Sequence, residues 1–296
     1  MNSRLSRLCL LALAAPLLAS AQTASTLDKI KQSGLMTLAY RESSIPFSYL
    51  DDKAQPTGFA YEICQKVAEN VKRATGRADL KLQYQAVTSA NRIPLLQNGT
   101  IDIECGSTTN NSERGKQVAF AINYFYTGTR FLVKSGTNVG KLADLAGKPV
   151  VSTTGTTNYQ IIRRLNEEQK LGIDLLGAKD HAESALMVQS GRAVAFAMDD
   201  ILLYGLKASA QNPAELAVVG EAIQVEPYAI MVRRDDPAFK KLVDDTLAGL
   251  MKSGEFETLY KKWFQSPIPP KGINLQAPMS KELVDNTKAL SDKPAT

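Results

Sequence analysis

The sequence specifies an α/β protein, parallel sheets with helices on both faces, spread over two lobes. Strand-like apolar runs alternate with stretches of helical period along most of the chain. Helix stops punctuate the pattern at Gly34, at Asn98 with Gly99, and at Gly191. The length, 296 residues, exceeds what one hydrophobic core usually serves.

In order, a short helix from Thr26 ends at Gly34 and a strand follows over 35–40. Residues 59–75 place Phe59, Ile63, Val67 and Val71 at every fourth position, one apolar stripe of a helix. Strands are expected over 80–87 and 101–105, the second with Ile101, Ile103 and Cys105 on one face. A short helix over 92–97 lies between them. A second set opens with a strand over 148–152, a Thr/Gly turn over 153–157 and a helix to about Gln169. Next come a strand over 173–177, a helix over 182–190 and a strand over 193–198. After a strand over 228–233, helices over 237–253 and 255–264 close the periodic region. The tail from Ser266, with Pro267, Pro269 and Pro270, shows no period and is expected to wrap the surface as coil.

Arg4 and Arg7 precede an apolar stretch over 8–18, and Ala19, Ser20 and Ala21 supply a small-residue cleavage pattern. That arrangement predicts a secretory signal over 1–21, a mature chain from near Gln22 and a periplasmic location. The stretch is shorter than the roughly 20 residues of a spanning helix. Cys9 opens the stretch instead of following it, so it is not placed for lipidation. The formal charge of +5 includes the two signal arginines, so the mature chain is only mildly basic. No Lys/Arg run with interleaved aromatics argues for nucleic acid. A single histidine speaks against a Cys/His metal site, and no cofactor is expected. Cys64 and Cys105 survive processing. An oxidising compartment permits a bond between them, but spacing does not show that their Cβ atoms meet, so a disulfide and two buried thiols both remain open.

Several motifs carry a resemblance. They are RESSIPFSY over 41–49, Gly58 and Phe59 opening a helix (with Ala60 where an acidic residue is common), TSANRIPLLQNGT over 88–100, ECGSTTNN over 104–111, AKDH over 178–181 and GRAVAFAMDD over 191–200. Together they resemble the amino-acid-binding proteins of polar amino-acid ABC importers, solute-binding protein family 3, and in particular its glutamate/aspartate-binding members. The likeness runs from about Thr26 to Lys271. It implies a type II periplasmic-binding fold, two α/β lobes joined by two crossing strands with the ligand in the cleft. Segments at about 126–134 and 225–233 fit the crossings. The first lobe is then discontinuous, 22–128 with 227–296, against 129–226 for the second. The resemblance further implies hinge closure around glutamate or aspartate, and docking of a monomer onto ABC permease subunits in the inner membrane.

Such a ligand carries two carboxylates and an ammonium, and burial requires a partner for each. By resemblance, Arg114 clamps the α-carboxylate with its planar fork. The plain alternative, a solvated arginine at a helix start, sits poorly with the helix dipole. Ser107 and Thr109 would complete that pocket. Thr157, where a Gly-Thr-Thr turn opens a helix, would add an anion contact, although threonine capping alone explains the same local pattern. Asp199, at the carboxyl end of a strand, would receive the ammonium, and Asp200 would cap the next helix. Arg41, Arg92 and His181 are expected as three donors converging on the side-chain carboxylate, with Ser89 beside them. Tyr40 and Asn158 depart from the residue types expected next to Arg41 and Thr157. The rival reading is a secreted dehydratase on the same fold, with Glu42 or Glu104 as acid or base. A receptor-coupled sensing domain is the other.

Overall fold

The computed structural model describes residues 25–295, so the signal expected over 1–21 and the start near Gln22 lie outside the described residues. The strands are β1 (Leu35–Tyr40), β2 (Ser43–Ser44), β3 (Ser48–Leu50), β4 (Pro56–Thr57), β5 (Lys81–Ala86), β6 (Ile103–Glu104) and β7 (Val118–Phe120), then β8 (Phe125–Lys134), β9 (Pro149–Thr153), β10 (Asp174–Ala178), β11 (Ala195–Asp199), β12 (Leu216–Val219), β13 (Val225–Tyr228) and β14 (Met231–Arg233). The helices are α1 (Thr26–Ser33), α2 (Phe59–Thr75), α3 (Arg92–Gln97), α4 (Ser112–Gly115), α5 (Thr157–Gln169), α6 (His181–Gln189), α7 (Asp200–Ser209), α8 (Pro237–Ser253), α9 (Glu255–Phe264) and α10 (Lys281–Ala289).

Two principal sheets result. The first has the order β5-β1-β6-β14-β7 and the second β10-β9-β11-β8-β12. Each has a parallel half, β1 with β5 and β6, and β9 with β10 and β11. The other half is antiparallel, which corrects the expectation of purely parallel sheets: β14 opposes β6 and β7, and β8 opposes β11 and β12. The physical reason is the return of the chain. A strand that carries it from one sheet to the other enters the second from the opposite end.

That passage is a two-stranded ribbon. β13 pairs antiparallel with the first part of β8, Val225 opposite Gly128 and Tyr228 opposite Phe125. The strand expected over 228–233 is therefore two strands, with Ala229 and Ile230 as the step between sheets. An aromatic cluster pins the ribbon. Phe47 lies 4.9 Å from Phe125 and 5.1 Å from Tyr228, and Phe264 stacks on Phe125 at 5.1 Å. Contacts of this kind add about 0.5–1.5 kcal/mol each beyond burial.

Several further elements escaped the sequence, among them α4, β7 and β12. A small sheet, β2-β3-β4, follows β1. The tail is not all coil, because α10 forms at residue 281, capped by the Ser280 hydroxyl, which accepts from the Leu283 amide at 3.2 Å. Only Leu283 and Asn286 of that helix are buried, too few to give a visible period. Among the described residues no helix is long and apolar enough to cross a membrane.

Cys64 and Cys105 are bonded, with Cα atoms 6.1 Å apart, joining α2 to the segment just after β6. The bond closes a sequence separation of 41 residues and so restricts the unfolded chain. Replacing both cysteines with alanine should lower unfolding free energy by about 2–4 kcal/mol. Urea denaturation under oxidising conditions measures it, and a loss below the fitting error would deny the bond a stabilising role.

Candidate functional site

The sequence-predicted residues converge at one place. Ser89, Arg92, Ser107, Thr109, Arg114, Thr157, His181 and Asp199 line one narrow, closed-up cleft between the sheets, with Thr156, Asn158 and Met198. Arg41 stands against it through Ser89 and His181. Larger surface grooves exist, but none gathers such a set of buried charges.

Local structure explains each placement. Arg41 leaves the end of β1, its amide donating to Ser48 Oγ at 2.9 Å. Arg92 is the first residue of α3. Arg114 lies in the last turn of the single-turn α4, capped by Asn111. Thr156, not Thr157, caps α5, which leaves the Thr157 hydroxyl for other work. His181 opens a helix instead of ending a strand. β10 stops at Ala178, Asp180 caps α6, and His181 is its first residue. Asp200 does not cap α7 either. It is the first helical residue, and its carboxylate accepts from the Thr127 hydroxyl and the Ile201 amide.

The three guanidiniums are almost fully buried, at 1 % exposure for Arg41, 2 % for Arg92 and 8 % for Arg114. Burial first, and then the Arg92 charge, pulls Arg41 and Arg114 down to about 9 from the usual arginine value. Burial likewise lowers Arg92. Arg41 and Arg114 therefore stay charged at neutral pH. Arg41 donates through NH2 to Ser89 Oγ at 3.0 Å, and its NH1 has no hydrogen-bond partner. Arg92 faces Glu104 at 3.9 Å, an ion pair too long to be a hydrogen bond, and its Nε and NH1 are also unpartnered. The Ser107 hydroxyl is buried without a partner as well. Leaving such donors unsatisfied costs a few kcal/mol each, so these atoms point to an acceptor that completes them.

His181 is the residue whose role changes. Burial, with Arg41 and Arg92 nearby, holds its pKa well below the ordinary value, so the ring is neutral. Nε2 lies 3.3 Å from Arg41 NH2 and must accept, which puts the proton on Nδ1, 2.9 Å from Thr153 Oγ1. Two donors converge, Arg41 and Arg92, and the imidazole orients the first.

At the other end, Arg114 joins the two sheets. It donates to the Thr109 carbonyl at 3.0 Å and to the Gly155 carbonyl at 3.1 Å. Gly155 has φ +81°, and a Cβ there would come within 2.6 Å of the Ala90 backbone, so the approach of the two walls requires glycine. Gly106 is equally constrained, with Glu104 Oε1 2.3 Å from where its Cβ would be.

Sequence reasoning missed Glu226 and Tyr228, both on β13 and both fully buried. Glu226 Oε2 accepts from the hydroxyls of Thr109 and Thr157, and Tyr228 donates to Asp199 Oδ2. The available signal was an acidic residue inside a crossing strand. Asn158 donates to Asp199 Oδ1 at 2.7 Å, while its own Oδ1 is unpartnered. Tyr40, the other departure, is only half-buried and lies off the cavity. Burial, then the neighbouring Glu226 charge, raises Asp199 to about 8. A cation beside it would reverse that penalty. Among the described residues no cluster of His, Cys, Asp and Glu is arranged to hold a metal ion.

Residues 36–266 match the model of the bacterial extracellular solute-binding proteins, family 3. The chain belongs to that family. It is 49% identical to an L-glutamate/L-aspartate-binding protein of Pseudomonas aeruginosa, over 96% of this chain and 94% of the relative. Identity is 48% to a glutamate/aspartate import solute-binding protein of Escherichia coli, over 91% and 88%. A solved structure, the ancestral amino acid-binding protein AncCDT-1, a precursor of cyclohexadienyl dehydratase, superposes with a TM-score of 0.70 at 28% identity, covering 81% of this chain and 100% of its own. The fold is the type II periplasmic-binding fold of such family members.

The Asp199 carboxyl has a measurable consequence. Its folded-state pKa, about 8, exceeds the ordinary value of about 3.9 expected when unfolded. Between those values the folded state holds more protons, so stability should fall as pH rises from about 4 to 8. Asp199→Asn removes this ionisation. In ligand-free urea denaturation the variant should therefore gain on wild type from pH 5 to pH 8, and a difference independent of pH would contradict it.

Proposed function

We propose that the chain captures glutamate or aspartate outside the cytoplasm, closes around it, and delivers it to the permease of an ABC-type importer. The observation that carries this reading is the set of unpartnered buried guanidinium nitrogens on Arg92, which lines one cleft with Arg114 and Asp199, and on Arg41, which stands against that cleft through Ser89 and His181. A dicarboxylate with an ammonium group supplies what each lacks. The names of the relatives support the same ligand and the same importer class.

In this reading Arg114, Ser107, Thr109 and Thr157 take the α-carboxylate. Asp199 takes the ammonium, with the free Asn158 Oδ1 as a second acceptor. Arg41 and Arg92 take the side-chain carboxylate, Ser89 and His181 holding Arg41 in place. Residues 22–128 with 227–296, and 129–226, act as the two lobes, and the β8–β13 ribbon is the hinge. A cleaved signal over 1–21 and a periplasmic location complete the proposal.

The protein is a binding protein and not an enzyme. The dehydratase alternative is the weaker one. Glu42 is exposed, and Glu104 is tied to the Thr108 hydroxyl at 2.7 Å and faces Arg92. The curated relatives are import solute-binding proteins, which favours binding over turnover.

Thermal unfolding in the presence of each common amino acid tests the ligand. Glutamate and aspartate should raise the melting temperature by mass action, while glutamine and asparagine should not. No shift with either acid would overturn the assignment. Arg41→Ala should weaken acidic ligands by about 2 kcal/mol or more, roughly 30-fold in Kd, because it strips a desolvated carboxylate of its partner. Calorimetric titration reads this directly, and an unchanged Kd removes Arg41 from the pocket.

A further inference from the structure

The family match ends at residue 266, yet the chain beyond it returns to the site. After α10, residues 291–295 run alongside the loop over 107–111 that presents Ser107, Thr109 and, just past it, Arg114. One flank of this loop is held by the ribbon. Asn110 N donates to the Pro227 carbonyl at 2.8 Å, Ala229 N to the Thr108 carbonyl at 3.1 Å, and Thr109 forms a bridge with Tyr228. The opposite flank is held by the tail. Ala295 N donates to the Asn110 carbonyl at 2.9 Å, and Asn111 bridges Ala295 in parallel sense.

The side chains between loop and tail make the attachment directional. Asn110 Nδ2 donates to the Asp292 carbonyl at 2.7 Å and to Asn123 Oδ1 at 3.0 Å. Asn123 Nδ2 donates to the Lys293 carbonyl at 2.8 Å, and its amide to the Ser291 carbonyl at 3.0 Å. Both asparagines are buried, 3 % and 0 % exposed, so these bonds answer donors that water does not reach. The tail itself is mostly solvent-facing and buries little apolar surface. It is anchored separately, by Lys240 to Asp292 at 2.9 Å and by Asn286 to Ser291. Its attachment is therefore to the loop's polar groups and not to the core.

We infer that residues 291–295 form a strap that positions the 107–111 loop, holding Thr109 and Arg114 in register to meet Thr157 and Gly155. The inference rests on the assignment of that end of the cavity to the α-carboxylate. Every α-amino acid presents that group alike, whereas Arg41 and Arg92 serve the side chain. Loss of the strap should weaken glutamate and aspartate by the same factor and leave their ratio unchanged.

The test uses the mature chain, a variant ending at Leu290, and Asn110→Ala, which removes the central bonds without shortening the chain. Calorimetric titration should give Kd values raised at least tenfold for both acids in each variant, with equal factors within twofold. Amide hydrogen exchange without ligand should accelerate at 107–111 and stay unchanged at 153–157, across the cavity. Unchanged affinity in both variants, or unequal factors for the two acids, overturns the strap. So does unchanged exchange at 107–111, whichever ligand the protein takes. If the intact chain binds neither acid while exchange at 107–111 accelerates on truncation, the ligand assignment falls and the strap stands.

Discussion

Three guanidiniums sit together where water does not reach, and the rest of the site follows from the need to balance them. Like charges at this density repel, and burial already disfavours each one, as the lowered pKa values of Arg41 and Arg114 record. Internal carboxylates answer only part of the charge. Glu104 approaches Arg92 without a hydrogen bond, and Glu226 is taken up by two threonine hydroxyls. Asp199 is buried beside a second carboxyl, Glu226, so it holds a proton more firmly than an exposed aspartate although Asn158 and Tyr228 donate to it. The arrangement is incomplete at both ends, with unpartnered guanidinium donors at one and a carboxyl that lacks a cation at the other. A small zwitterionic dicarboxylate has the complementary distribution.

The fold contributes by bringing these groups from distant parts of the chain onto two facing walls. Arg41, Arg92 and Arg114 follow strands or begin helices at the carboxyl edge of the first sheet, and Thr157, His181 and Asp199 do so at the second. Side chains at such edges point out of the sheet, where open α/β folds place their ligands. The paired ribbon strands β8 and β13 carry the chain between the two sheets. Glu226 and Tyr228 lie on that ribbon and touch groups on both walls. A change in ribbon geometry is thereby coupled to the hydroxyls and the carboxylate that line the cavity.

Steric detail sets how near the walls come. Gly155 faces the Ala90 backbone across the cleft, so a single methyl group there would hold the walls apart, while Gly106 packs against Glu104 and Arg41 of its own wall. The disulfide and the C-terminal strap act on the same loop from different sides. Cys105 immediately precedes Gly106, and the strap reaches Asn110 and Asn111. A loop of this kind has few apolar contacts of its own and owes its shape to such external ties.

By itself the sequence determined the alternation of elements and most of their bounds, because period and helix stops are local properties, as in α2 and α3. It also determined the chemical inventory of the cavity, since the residues around Arg41, Arg92, Arg114 and Asp199 stand in motifs specific enough to be matched as text. The tertiary structure alone decided what depends on contacts between remote segments. That includes the bond between Cys64 and Cys105, the antiparallel halves of both sheets, and the split of the strand expected over 228–233. It also decided the acceptor role of the His181 ring, which follows from Arg41 lying 3.3 Å away, and the place of Glu226, whose partners Thr109 and Thr157 come from distant segments. Helix α10 and the strap were hidden for a related reason. They bury too few apolar residues to show a period, and Asn110 and Asn123, whose side chains donate to the strap, lie more than a hundred residues earlier in the chain.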